Sequence, residues 1–98
     1  MVIEVLNHVE RCYSNDDGEV IFYLIRKAFK KGDNVIVSFT GVNSITSSFT
    51  NSAFIELIEE YDIVHIKRNL TFTNSNKSIN SMIKDRFDFF STNQLEYA

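Results

Sequence analysis

Residues 34–61, NVIVSFTGVNSITSSFTNSAFIELIEEY, contain an apolar run, a polar loop and a helical pattern in that order. The run at residues 35–39 is β-branched and aromatic, which is typical of a strand buried on both faces of a sheet. Gly41 ends the run. The apolar residues that follow the loop have helical spacing: Ala53, Phe54, Leu57, Ile58 and Tyr61. This order predicts half of a βαβ unit, in which ligands and partners bind at the carboxyl end of the strand.

The length and composition predict one folded domain with a substantial core. The chain has 98 residues, of which 44% are hydrophobic and 13% aromatic. We expect residues 1–90 to form the domain and residues 91–98 to form a C-terminal tail. No apolar run reaches the length of a membrane span, and no signal peptide is expected, so the sequence predicts a cytoplasmic protein without a membrane segment.

The charges and the single cysteine exclude several functional classes. The formal net charge of −3 argues against binding to nucleic acid, because phosphate contacts need clustered Lys and Arg. Cys12 is the only cysteine, which excludes an internal disulfide and a cysteine-based zinc site. His8 and His65 have no acidic or cysteine partner at ligand spacing, so we expect no metal and no cofactor.

The first half of the chain predicts a strand followed by a helix. Residues 1–7 alternate loosely and indicate a strand, whereas residues 8–13 are ambiguous between a loop and a second short strand. A helix is then expected from Ser14, its N-cap, to a stop at Gly32. The cap motif of this helix consists of Ser14, Asp16, Asp17 and Gly18, in which Asp17 completes a capping box and both carboxylates suit the helix dipole.

The second half predicts a further strand and helix. Residues 62–68 are left between two alternatives, since their β-branched content favours extended structure and their last basic residues favour a helix; we favour a helix or turn. Residues 70–73 indicate a short strand. Residues 74–76, Asn-Ser-Asn, offer N-caps for a last helix. The apolar positions of that helix are Ile79, Met82, Ile83 and Phe87.

Two small groups of polar residues could form a catalytic or a phosphate-binding site. Asp16 and Asp17, with Cys12 nearby, would suit an enzyme that uses paired carboxylates or a thiol, but capping of the helix explains both aspartates. The run Thr46, Ser47 and Ser48 could bind phosphate, be phosphorylated or cap the following helix, and capping is favoured. No catalytic site is therefore predicted.

Three segments resemble the bacterial STAS-like domain family, small proteins of unassigned function related to anti-sigma factor antagonists. Residues 11–19 resemble the family's RC…DDGE opening, and residues 35–54 resemble its strand–loop–helix signature. Residues 70–84 resemble its last strand and helix. In the antagonists, a D-S-S/T-G run contains the phosphorylated serine, which would align with Ser47. In this chain, Thr46 replaces the aspartate of that run and Phe49 replaces its glycine. Ser38 replaces the family's usual aspartate.

The resemblance implies an α/β, STAS-like fold, which we expect as a central mixed sheet of about four strands with three main helices. It also implies a non-enzymatic regulatory module that docks a partner protein, by analogy a kinase-like ATP-binding protein. The residues expected to bind this partner or phosphate are Ser44, Thr46, Ser47, Ser48, Asn51, Ser52 and Ile55. The alternative is a small-molecule or nucleotide sensor that uses the same loop. Neither reading excludes a homodimer.

Overall fold

The computed structural model describes the backbone of residues 1–97 and the side chains of residues 1–90. Within that part of the chain, three strands form one parallel sheet in the order β1, β2, β3. The strands are β1 (Val2–Glu4), β2 (Val35–Ser38) and β3 (Leu70–Thr73). The helices are α1 (Asn15–Lys30), α2 (Ser47–Ala53), α3 (Ile63–Asn69) and α4 (Lys77–Tyr97), with 3₁₀ turns at Val5–Asn7 and Ile55–Glu59.

The α/β class is confirmed, but the expected mixed sheet of about four strands is wrong. All three strands run parallel, and every connection between consecutive strands contains a helix, so none of them forms a hairpin. The first strand ends at Glu4, and residues 8–13 do not form a strand. The carbonyl groups of Cys12 and Tyr13 instead accept hydrogen bonds from Thr46, which precedes α2.

Apart from Ser38 at its end, which is 1% exposed, the central strand β2 is buried on one face only, which corrects the expectation of burial on both faces. Val35 and Val37 are buried, whereas Ile36 between them is 36% exposed and its β1 neighbour Val2 is 59% exposed. With the strand order β1, β2, β3, two right-handed crossovers place their helices on the same face of the sheet. The opposite face therefore lacks a covering layer from the described part of the chain.

The first helix forms as predicted. Ser14 is the N-cap of α1, and Asp17 completes the capping box. After α1, Gly32 has a φ of +81°, and its N–H donates to the carbonyl of Phe29, which ends the helix as expected. The buried face of α1 consists of Gly18, Ile21, Ile25, Ala28 and Phe29, while Leu24 is partly buried.

The second helix is shorter than the pattern predicts. α2 ends at Ala53, and Phe54 has φ −122° and ψ −42°, so the chain continues as the 3₁₀ turn Ile55–Glu59 rather than as one helix to Tyr61. Side chains three residues apart are eclipsed in a 3₁₀ turn. Phe54 and Leu57, three residues apart, are both fully buried.

The ambiguous segment before β3 is a helix. The side chain of Asp62 caps α3 by accepting a hydrogen bond from the backbone of His65 at 2.7 Å. The last helix begins after Asn76, whose side chain accepts from the backbone of Ile79 at 2.9 Å. The side chains of residues 91–98 lie outside the described part, and the division into a domain and a tail stays a prediction.

The core lies between the covered face of the sheet and the helices. Its largest fully buried side chains include Phe39, Phe49 and Phe54, and the rings of Phe39 and Phe54 meet edge to face with centroids 6.3 Å apart. The core also contains the buried residues Val35, Val37, Ile21, Ala53 and Leu57. None of the helices in residues 1–97 is both long and apolar enough to cross a membrane.

Candidate functional site

The Ser/Thr loop, defined here as residues 40–48, follows the carboxyl end of β2 and includes the first two residues of α2, Ser47 and Ser48. Thr46 is the N-cap of α2, and its Oγ1 accepts a hydrogen bond from the backbone of Phe49 at 3.1 Å. The same hydroxyl donates to the carbonyl of Tyr13 at 2.7 Å. The backbone N–H of Thr46 donates to the carbonyl of Cys12 at 3.2 Å. One threonine thus caps α2 and binds it to the segment that precedes α1.

The amino-terminal parts of α1 and α2 are in direct contact. The hydroxyl of Ser52 on α2 donates to Oδ1 of Asn15, the first residue of α1, at 3.1 Å. Gly18 is buried, with Phe49 and Ser52 as its nearest neighbours on α2. Residues 11–19 and 35–54, which the sequence identifies separately, therefore form one structural unit.

Asparagines from the third segment hold the other side of the Ser/Thr loop. The side-chain amide of Asn76 donates to the carbonyl of Asn43 at 2.9 Å. The amide of Asn74 donates to the hydroxyl of Ser38 at 3.0 Å, and Ser38 shares a 2.9 Å hydrogen bond with Thr40. Asn74 has a φ of +53°, which asparagine tolerates better than most residues. The loop is thus tied to both flanking parts of the chain.

The sequence did not identify these loop-holding residues as part of the site. The sequence indicates only helix caps at residues 74–76, although Asn76 both caps α4 and holds Asn43. The sequence predicts no contact between Arg86 and this region, but its Nε donates to Oδ1 of Asn51 at 3.0 Å. In a sequence, an asparagine that precedes a helix indicates a cap. Its neighbouring residues do not indicate a second hydrogen-bond partner more than thirty positions away.

The predicted binding residues divide into an exposed and an enclosed group. Ser44, Ser47 and Ser48 are exposed, and their hydroxyls make no hydrogen bond with the described residues. Thr46 and Asn51 are half-buried and have structural partners. Ser52 and Ile55 are each only 5% exposed, so the expectation that they extend the surface is wrong. Ser52 faces inward because its side of α2 packs against α1, and Ile55 packs into the core from the 3₁₀ turn that follows α2.

The alternative catalytic group does not form a reactive arrangement. The Asp17 carboxylate accepts hydrogen bonds from the backbone N–H groups of Ser14 and Tyr13, at 3.4 and 3.5 Å, as part of the cap. Cys12 is 1% exposed, and burial, together with the smaller effect of the Asp17 charge, raises the pKa of the thiol to about 12. A thiol with such a pKa is protonated at neutral pH and is a weak nucleophile. Among the side chains that the structure describes, those of residues 1–90, no cluster of three or more could hold a metal ion.

A small cavity lies beside the Ser/Thr loop. Its volume is about 140 Å³. Its lining residues are Leu6, Glu10, Arg11, Cys12, Tyr13, Gly41, Val42, Asn43 and Ser44. Sites for drug-sized ligands and cofactors usually measure roughly 300–1,000 Å³. The cavity is therefore too small to enclose a nucleotide.

Comparison with known proteins gives the family of the chain and nothing finer. No curated protein and no solved structure matches it. The sequence model of one family, the STAS-like domain of unknown function (DUF4325), matches residues 17–80, which is more than half of the chain. The match includes most of α1, all of β2 and β3 and the Ser/Thr loop between them. This chain belongs to the family of STAS-like domains of unknown function (DUF4325).

Proposed function

We propose that this chain is a non-enzymatic regulatory module that docks a partner protein through the exposed serines of the Ser/Thr loop. The proposal rests on one observation, the different roles of the hydroxyl groups at the start of α2. Thr46 supplies the cap, so the hydroxyls of Ser47 and Ser48 have no structural task among the described residues. Exposed polar side chains on a loop that a rigid scaffold holds in place are typical of binding sites.

The hydrogen bonds of the loop give the proposed surface a defined shape before a partner arrives. Thr46 fixes one end of the loop to Tyr13, and Asn76 fixes its middle at Asn43. A preorganised surface loses less conformational entropy on binding than a loop that must first become ordered. The exposed serines Ser44, Ser47 and Ser48 follow these fixed points closely in the chain.

The partner we favour is a kinase-like ATP-binding protein, and the proposed interaction takes place in the cytoplasm. The support for this partner is the relationship to anti-sigma factor antagonists, which is an argument by family analogy. The alternative, a small-molecule or nucleotide sensor at the same loop, has less support because the adjacent cavity is only about 140 Å³.

The test begins with proteins captured from the native host by the immobilised chain and identified by mass spectrometry. Affinity for the captured protein is then measured with Ser47→Asp and Ser47→Ala. A carboxylate at Ser47 lies at the positive end of α2, so the fold should remain intact. Inside a protein contact the same charge should weaken binding by about tenfold or more through desolvation and repulsion.

Asn34→Asp is the matched control, because it also adds one negative charge but lies at an exposed position just before the opposite end of β2. Circular dichroism checks that all three variants are folded. Unchanged affinity in folded Ser47→Asp and Ser47→Ala would contradict docking at this loop. Equal weakening by Asn34→Asp would show an effect of net charge alone. Titration with ATP, followed by amide shifts at residues 44–48, tests the sensor alternative.

A further inference from the structure

Basic residues are concentrated in one segment of this acidic chain. Residues 63–84 contain Lys67, Arg68, Lys77 and Lys84 and no Asp or Glu, although the formal net charge of the whole chain is −3. The segment comprises α3, β3 and the first part of α4. This segment is therefore more positive than the chain as a whole, with Asp62 and Asp85 at its two ends.

An apolar groove lies within this basic segment, between α3, β3 and α4. The groove has a volume of about 240 Å³. Its apolar lining consists of Ile66, Leu70, Phe72, Ile83 and Phe87, and its polar lining consists of Lys67, Asn80, Lys84 and Asp88. Because small-molecule sites usually start near roughly 300 Å³, the size suits one or two apolar side chains better than a complete ligand.

The groove adjoins an unpaired strand edge. β3 is the last strand of the sheet and pairs with β2 on one side only. The backbone of Phe39 donates to the carbonyl of Thr73 at 3.0 Å, so the backbone groups of Thr73 are directed toward β2. Hydrogen-bonding direction alternates along a parallel strand, so the N–H and C=O of Phe72 are directed toward the open edge.

The ion pair at the rim of the groove can exchange its acidic partner at little cost in free energy. Nζ of Lys84 lies 2.7 Å from Oδ2 of Asp88, and both side chains are well exposed. The hydrogen bond and charge of Lys84 lower the pKa of the Asp88 carboxyl. Exposed pairs of this kind contribute little to stability, so an incoming carboxylate can replace Asp88 as the partner of Lys84.

We propose that this edge binds an extended, acidic peptide segment of a partner protein, which adds to the sheet as a strand beside β3. The outward N–H and C=O of Phe72 pair with the backbone of the segment, as in other cases of strand addition. Alternate side chains of an added strand face the helices, so an apolar one enters the groove. Acidic side chains of the same segment contact Lys67 and Lys84. This site is separate from the Ser/Thr loop.

The proposal is tested by selection from random dodecapeptides displayed on phage, with the folded wild-type chain as the target. Lys67→Glu/Lys84→Glu serves as the counter-target. The expected clones carry apolar residues at alternate positions, flanked by acidic residues. An enriched peptide is then synthesised and its affinity measured by fluorescence anisotropy, while amide shifts locate its binding site.

The expected result is a loss of affinity of about tenfold or more in Lys67→Glu/Lys84→Glu. The matched control is Lys30→Glu/Lys31→Glu, which makes the same change in net charge at exposed positions at the end of α1 and should bind normally. Amide shifts should include Phe72 and Thr73. Raised salt should weaken the binding.

Three results would overturn the proposal. One is that the wild-type chain and the counter-target select the same peptides, or that neither selects any. Another is an equal loss of affinity in both double variants, which would reflect net charge alone. The third concerns dodecanoate, a small amphipathic carboxylate used as a second probe: it binds with amide shifts confined to the groove, while no peptide binds. The groove would then be a site for small amphipathic carboxylates. Failure at this edge leaves the Ser/Thr loop proposal unaffected, because that proposal is tested with different variants.

Discussion

Gly18 on α1 packs directly against the backbone of Phe49 on α2: a β-carbon at Gly18 would lie 2.7 Å from the Phe49 carbonyl oxygen. The same β-carbon would lie 2.7 Å from Cβ of Ser52 and 3.1 Å from the backbone nitrogen of Ala53. These neighbours are backbone atoms or atoms fixed to the backbone, so none can rotate away. The close contact of the two helices therefore requires glycine.

Replacing Gly18 with alanine should destabilise the protein. Alanine favours a helix over glycine by about 1 kcal/mol. Overpacking at a tight contact costs about 1–3 kcal/mol, and here backbone must move, so the second effect should be the larger one. Urea denaturation of Gly18→Ala measures the difference. A variant as stable as the wild type would mean that the helices separate at almost no cost.

The N-caps of α1 and α2 should differ in their importance. Ser14→Ala removes one cap acceptor and should cost about 1 kcal/mol. Thr46→Ala removes the cap acceptor of α2 and the hydrogen bond to Tyr13, so it should cost about 2 kcal/mol. The control Ser47→Ala affects an exposed hydroxyl and should be neutral within about 0.5 kcal/mol. Denaturation midpoints rank the three, and a Thr46→Ala no worse than Ser47→Ala would contradict the structure.

The sequence predicts those elements that local signals determine. Ser14 with Asp17 marks the start of α1, and Gly32 marks its end. The sheet required non-local information, because a run such as residues 35–39 has the same composition whether one face or both faces are covered. Its exposure follows from the order of the strands, which no single segment contains.

Phe54→Ala should cause one of the largest losses of stability. The ring is fully buried and contacts Phe39, Phe49 and Phe72 edge to face, with the Phe72 centroid 5.1 Å away. Deleting such a ring leaves a cavity and should cost about 3–5 kcal/mol. Phe89 is exposed, and Phe89→Ala should change stability by less than about 0.5 kcal/mol. Thermal unfolding compares the two variants, and similar losses would show that burial of Phe54 is overstated.

The titration of Cys12 should make stability fall at alkaline pH. Its thiol has a pKa of about 12 in the folded protein and about 8.5 in an unfolded chain. Below the unfolded value both states are protonated and the stability is fully present. As the pH rises through this window only the unfolded chain ionises, so stability is lost, by about 2 kcal/mol at pH 10.

Urea denaturation of wild type and Cys12→Ala at pH 8 and pH 10 isolates this effect. The free energy lost with the side chain is the same at both pH values. All other titrating groups are shared by the two proteins. The wild type should therefore lose more stability than Cys12→Ala between the two conditions. Parallel losses, or rapid reaction of the native thiol with a disulfide reagent at pH 8, would contradict a protonated, buried Cys12.

The candidate site is only partly visible in the sequence for a similar reason. The hydroxyl-rich run at residues 46–48 is evident, and the cap role of Thr46 follows from its position before a helical pattern. Which side of α2 faces solvent is decided by α1, since Asn15 and Gly18 occupy the face that contains Ser52. Ile55 turns inward because the helix gives way to a 3₁₀ turn, a change that the apolar spacing does not show.

The wholly parallel sheet also determines how this chain can fold. Each pair of neighbouring strands is separated in sequence by at least one helix, so no ladder forms from adjacent residues. Closing such long loops costs entropy before any strand contact compensates for it. The chain should therefore have a higher contact order than a helical bundle of its size and should fold more slowly. On a ribosome, β1 must wait for α1 and β2 to be synthesised before it has a partner.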